Sequence, residues 1–221
     1  MTSDRNRSLI ISYLALRRMI GFLAVALPIV VVTGGITQEG FKIQGSISGY
    51  YYTNMRDVYV GMLSVVALFL ASYRGYDPID DVVGNMSGLF ALGMLIFPTS
   101  KFSGRVERVG VFLINDDISG YFHLAFATLF FLSLSFFSLF LFTRRGPRPG
   151  PLGRDKKRRN VLYRSCGSVM ILAIVGIIVY TFGYHDTAVA RMNPVLLLES
   201  VALFAFGISW LVKGNTLFRD R

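Results

Sequence analysis

Apolar residues dominate six long stretches of the chain, at 19–36, 57–73, 82–98, 121–142, 163–183 and 195–212. Charged and turn-forming residues crowd into the gaps between them. None of the six alternates polar with apolar positions, so a β-barrel wall is excluded. Each comes close to the roughly 20 residues that an α-helix needs to cross a hydrocarbon core. Open strands would leave backbone N–H and C=O groups unpaired in lipid, so the pattern predicts helices. The expected fold is an all-α integral membrane bundle of six transmembrane helices, formed as a single domain over 1–221.

Local signals refine this picture. Pro28 falls inside the first run, where it removes one helical hydrogen bond. Pro98 closes the third. Asn193-Pro194 reads as an N-cap and first helical residue, which starts the sixth helix there. The segment SLIISYLAL ahead of the first run suits a short helix lying on the membrane surface. A cleaved signal peptide is disfavoured, because TGGITQEG offers no small-residue cleavage site. Gly84 and Gly88 in GNMSG have the small-xxx-small spacing of close helix contacts, with a neighbouring span or with a second copy in a homo-oligomer.

Composition agrees with the pattern. Of 221 residues 53% are hydrophobic and only 16% charged, with a mean hydropathy of +0.53. The formal net charge of +10 would suit a nucleic-acid binder, but its distribution argues otherwise. Of the 23 bases, only Lys42, Arg56, Lys101, Arg105, Arg108 and Arg191 fall outside if both termini are cytoplasmic. The rest lie in the inner segments, above all in the basic loop 143–164. That asymmetry is the positive-inside bias, and it predicts cytoplasmic N- and C-termini in a plasma or bacterial inner membrane. Anionic lipid at the inner leaflet is a further partner for this loop. No nucleic-acid reader motif accompanies the charge. Cys166, the only cysteine, can form no intrachain disulfide.

The candidate chemistry sits on the other side. Glu199 stands about five residues into the sixth helix, roughly 8 Å below its start. A carboxylate at that depth is expected to point into the bundle or into a water-filled cavity. At the same level are Asp57, Asp117, His123 and His185, with Ser46, Ser48 and the tyrosines of SGYYY. The second, fourth and sixth helices are expected to enclose these groups as a polar basin in which Glu199 faces His123, while the inner half shows no comparable collection. Trp210 and Lys213 read as interface anchors. Asp77, Asp80 and Asp81 form either a solvated turn or partners for the basic loop.

Three readings follow from the basin. It binds a lipid headgroup or small polar ligand, with Glu199, His123, Asp57, Ser48, Asp117 and His185 as candidate ligand-binding residues. Alternatively it is an acid–base or metal-dependent enzyme acting on a lipid or lipid-linked substrate, or a structural hydrogen-bonded pair with no ligand. No ligand-spaced metal motif is present, so no metal residues, catalytic residues or cofactor are assigned. Membrane lipids are the expected partners.

The stretches SISGYYYTNMRDVYVGML, YRGYD, NDDISGYFHLAFATLFFLSL and ESVALFAFGISWLVKG together resemble an uncharacterised family of bacterial six-span membrane proteins. In layout the chain is also similar to the eukaryotic DRAM/Frag/Sfk membrane family. Those proteins have a Ser-containing outer loop before the second span, a His near the start of the fourth and a Glu early in the sixth. Ser46 or Ser48, His123 and Glu199 take these places here. The likeness implies lipid handling or remodelling of lipid anchors. It departs where the family's acidic residue follows its His directly, since Leu124 follows here. Seven-span metal hydrolases related to ceramidases need three histidines, and this chain has 2.

Overall fold

The computed structural model describes residues 2–38, 40, 43–75, 77–101, 108–144, 153–184 and 188–214. Six α-helices organise them: α1 (Thr2–Gln38), α2 (Arg56–Ala71), α3 (Pro78–Ile96), α4 (Asp116–Phe136), α5 (Arg154–Val179) and α6 (Pro194–Lys213). Single π-helical turns extend α4 over Phe137–Leu141 and α5 over Tyr180–Tyr184. Two 3-10 turns, Ser48–Tyr52 and Ala188–Met192, precede α2 and α6. A small antiparallel pair, β1 (Arg108–Val109) with β2 (Ile114–Asn115), leads into α4.

The helix ends follow from local chemistry. The Asn115 side chain accepts from the backbone N–H groups of Asp117 and Ile118, so α4 begins at Asp116, ahead of its apolar run. Asp80 Oδ2 accepts the Asp77 N–H at 3.1 Å and Asp81 Oδ1 the Gly75 N–H at 2.7 Å, which fixes the turn into α3. Arg144 closes that turn from the basic loop, 2.7 Å from Asp77 and 3.8 Å from Asp80. Residues 8–16 form no separate surface helix; they continue into α1, which also runs through Pro28 without ending. Asn193 stands at the N-cap of α6 in a left-handed conformation (φ 48°) and makes no side-chain cap. The Gly45 carbonyl takes over that role, accepting the Leu196 N–H at 2.9 Å.

Helix α6 lies between α1 and α5, while α2, α3 and α4 pack in sequence. Glycines set the closest approaches. A Cβ on Gly21 would lie 2.8 Å from the Gly207 carbonyl, and one on Gly207 would lie 2.7 Å from that of Gly21. Gly84 and Gly88 are buried in the same manner against Leu70 and Ala67 of α2, so this face is used within the chain. Interhelical hydroxyl bonds add pins: Ser87 with Ser133 at 2.7 Å, and Ser138 to Ser209 at 2.9 Å. Trp210 is no interface anchor. It is fully buried and meets Tyr73, Phe137, Phe142 and Phe206 edge-on.

Among the described residues five helices, all but α2, are long and apolar enough to cross a membrane. Phe22, Leu68, Leu89, Leu132, Leu172 and Leu197 point outward and are exposed. So broad an apolar exterior would be an aggregation surface in water, and it suits a lipid solvent. The chain has the architecture of a multipass membrane protein.

Candidate functional site

The segment before α2 carries small and hydroxyl residues, GSISG, in place of a hydrophobic run. Its backbone is therefore free to turn tightly, and it folds down onto the first turns of α6. Besides the Gly45–Leu196 bond, the Ile47 N–H donates to the Glu199 carboxylate. The Ser46 hydroxyl accepts the Gly49 N–H at 2.9 Å, bracing the turn. The Ser48 hydroxyl stands 3.2 Å from Ser46 Oγ and 3.4 Å from Glu199 Oε1. Its single hydrogen serves one of the two at a time. Glu199 is thus a helix-borne carboxylate received by a loop.

His123 is held from a different direction. Its Nδ1 lies 3.1 Å from the Met94 carbonyl and 2.9 Å from that of Phe97. These carbonyls belong to the last turn of α3, where helical oxygens lack intrahelical partners. Both oxygens only accept, so Nδ1 carries the proton. Nε2 is buried and has no hydrogen-bond partner.

Glu199 and His123 do not bond each other, yet both line one cavity of about 450 Å³. At its polar end are Ser46, Ser48, Thr99, Ser100, Lys101 and Asp117. Leu124, Ala127 and Phe131 of α4, Ile174, Ile177 and Ile178 of α5, and Val195 of α6 supply an apolar wall. Asp117 and Tyr121 are exposed, so the cavity reaches the surface between α4 and its neighbours. Gly120 lets the 98–101 segment lie close, because a Cβ there would overlap the Ser100 hydroxyl. That segment is fastened by Ser119 Oγ–H to the Pro98 carbonyl at 2.7 Å, and by Tyr52 O–H to that of Thr99 at 2.7 Å. The Tyr52 phenol is pushed above the usual tyrosine range, first by burial and then by the Asp116 carboxylate 3.4 Å away.

Of the six candidate residues, the structure brings Glu199, His123, Ser48 and Asp117 to this cavity. Asp57 lies apart from it, exposed in the first turn of α2. His185 is outside the described residues. The third wall comes from α5, and no α2 residue contributes. Sequence reading missed Thr99, Ser100 and Lys101 as well; their proximity to the Ser46–Ser48 turn is a tertiary effect with no local signal.

The opposite end of the bundle is also richer than expected. Arg17, Asp80, Arg159 and Asn160 are buried there. Arg17 donates to the Tyr73 hydroxyl at 3.3 Å, and Lys156 to the Phe142 carbonyl at 2.9 Å. Arg18 Nε–H caps α6 through the Gly214 carbonyl at 2.9 Å. In the sequence these bases read as orientation charges; in the fold several are packing elements.

Among the described residues no three His, Cys, Asp or Glu side chains come together as a metal cradle. No family model, curated protein or solved structure matches the chain.

Proposed function

We propose that all six helices cross a cell membrane with both termini cytoplasmic, and that the outward-facing cavity binds a membrane amphiphile by its polar head. Helix α2 spans Arg56–Ala71, which gives about 24 Å at 1.5 Å per residue. A span of that length is accommodated by local thinning of the bilayer. The charge asymmetry between the two ends supports the orientation.

The single observation carrying the binding reading is the mixed lining of one cavity, in which Glu199, His123 and Ser48 stand with Leu124, Phe131 and Ile174. A soluble polar ligand would have no use for the apolar part, and a pure hydrocarbon none for the carboxylate. A molecule with a polar head and an acyl chain matches both. Its head lies against Glu199 and the Ser46–Ser48 turn, and its chain runs between α4 and α5.

Native mass spectrometry of the purified protein, beside Glu199→Gln, tests this. Gln keeps an oxygen for the Ile47 N–H but removes the charge. A stoichiometric lipid adduct in the wild type that is lost or much weakened in the variant is expected. The absence of any adduct, or an equal adduct in both, would overturn the reading.

A further inference from the structure

The open ring nitrogen of His123 says which polar heads the cavity takes. His123 is 5% exposed and lines the cavity, with Nδ1 committed to two carbonyl oxygens and Nε2 to no protein atom. In the neutral ring the proton therefore sits on Nδ1, and Nε2 presents a lone pair. The charged ring would leave a buried cation facing no bonded anion, since Glu199 is engaged by Ile47 and Ser48 instead. The Glu199 carboxylate is itself acceptor-only, and its two oxygens offer about four lone-pair sites, more than its bonds from Ile47 and Ser48 fill. Two acceptors thus line one cavity, and Nε2, the one with no partner, carries a desolvation cost until it accepts a hydrogen.

We infer that the bound amphiphile donates a hydroxyl or N–H hydrogen to Nε2 of His123, and that the site selects polyol- or amine-bearing heads over heads with acceptors alone. This rests on the amphiphile-binding reading above and narrows it to a ligand class. The Glu199 carboxylate takes a second donor from the same head, so vicinal hydroxyls of the glycerol type fit best.

The experiment compares a monoacylglycerol with its di-O-methyl ether. The ether keeps the acyl chain and the oxygens but has lost both donors. Both are titrated into the full-length protein in lauryldimethylamine oxide, a detergent with no O–H or N–H of its own, and adducts are counted by native mass spectrometry. One hydrogen bond to a buried acceptor corresponds to about a tenfold preference for the free diol. His123→Asn places an amide N–H near the position of Nδ1, within reach of the Met94 and Phe97 carbonyls, and has no atom at Nε2. That variant is expected to lose about tenfold of the wild-type preference, the part owed to Nε2, and to keep the part that Glu199 supplies. Equal binding of the two probes by the wild type, or the full wild-type preference retained in His123→Asn, overturns the inference while the amphiphile reading stands. Binding of neither probe overturns both. A variant that fails to fold leaves the wild-type comparison to decide. Free glycerol identifies the source of the donor: displacement of the monoacylglycerol assigns it to a soluble polyol, and no displacement assigns it to a lipid.

Discussion

The backbone N–H of Ile47 donates to the side-chain carboxylate of Glu199, although the two residues are 152 positions apart. One end of this contact is a loop amide that has no sheet or helix to receive it. The other is a carboxylate on a helix that would otherwise be set in lipid. Each satisfies the other, so the turn before α2 and the start of α6 behave as one piece.

Removing the acceptor should therefore cost more than removing the charge. Glu199→Ala leaves the Ile47 N–H unpaired and is expected to destabilise the protein by about 1–3 kcal/mol. Glu199→Gln retains a carbonyl oxygen for it and should cost clearly less. Thermal unfolding in detergent checks this, and equal losses in the two variants would contradict it.

Filling the apolar end of the cavity should abolish binding while sparing the fold. Ala127 lines the cavity between Leu124 and Phe131, and the ring of Ala127→Phe has open space to enter. We expect a stability change below about 1.5 kcal/mol, with loss of any co-purifying amphiphile. An unchanged lipid content by mass spectrometry would show that the chain does not lie there.

Two glycine substitutions should go in opposite directions. Gly207→Ala sets a methyl 2.5 Å from Val25 Cγ2 and 2.7 Å from the Gly21 carbonyl, for an expected loss of about 1–3 kcal/mol. Gly61 is helical and has nothing within 4 Å of an added Cβ. Gly61→Ala should stabilise by up to about 1 kcal/mol. Paired melting curves decide the matter, and equal shifts would refute the packing of α1 on α6.

Tyr52 lies outside the spanning segments, and its folded ionisation is displaced upward by burial and by Asp116. An unfolded tyrosine titrates near pH 10. The stabilisation is thus fully present below about pH 10 and is lost as pH rises through the folded value. At about pH 11 the tyrosinate absorbance of the wild type and of Tyr52→Phe should coincide. An excess of one tyrosinate in the wild type would show that Tyr52 is freely hydrated.

The helical character of the apolar runs was legible in the chain, while direction around each helix was not. Glu199 and His123 lie a turn or two into their helices and share a cavity, whereas Asp57 stands at the very start of its own and faces outward. Nothing within a uniformly apolar run marks which side meets which neighbour, so the contribution of Ile174 and Ile177 from α5 left no trace. Helix starts were misjudged wherever polar residues take helical conformation. The α5 helix begins at Arg154, well before its apolar run, because Lys and Arg are good helix formers. Trp210 was placed at the interface from its position near a helix end, but Tyr73 and Phe142 extend the aromatic core beyond it.

The pairing of α1 with α6 has a consequence for biosynthesis. Of these six helices α1 is made before the others, and the partner of its Gly21 lies on α6, so Gly21 stays without Gly207 until the four intervening helices have been made. During that interval α1 needs lipid or an insertion chaperone at its side. The Ile47 amide likewise waits for Glu199. A chain truncated before Pro194 could insert five helices, yet it would have neither the seam that joins its two ends nor a cavity with its carboxylate.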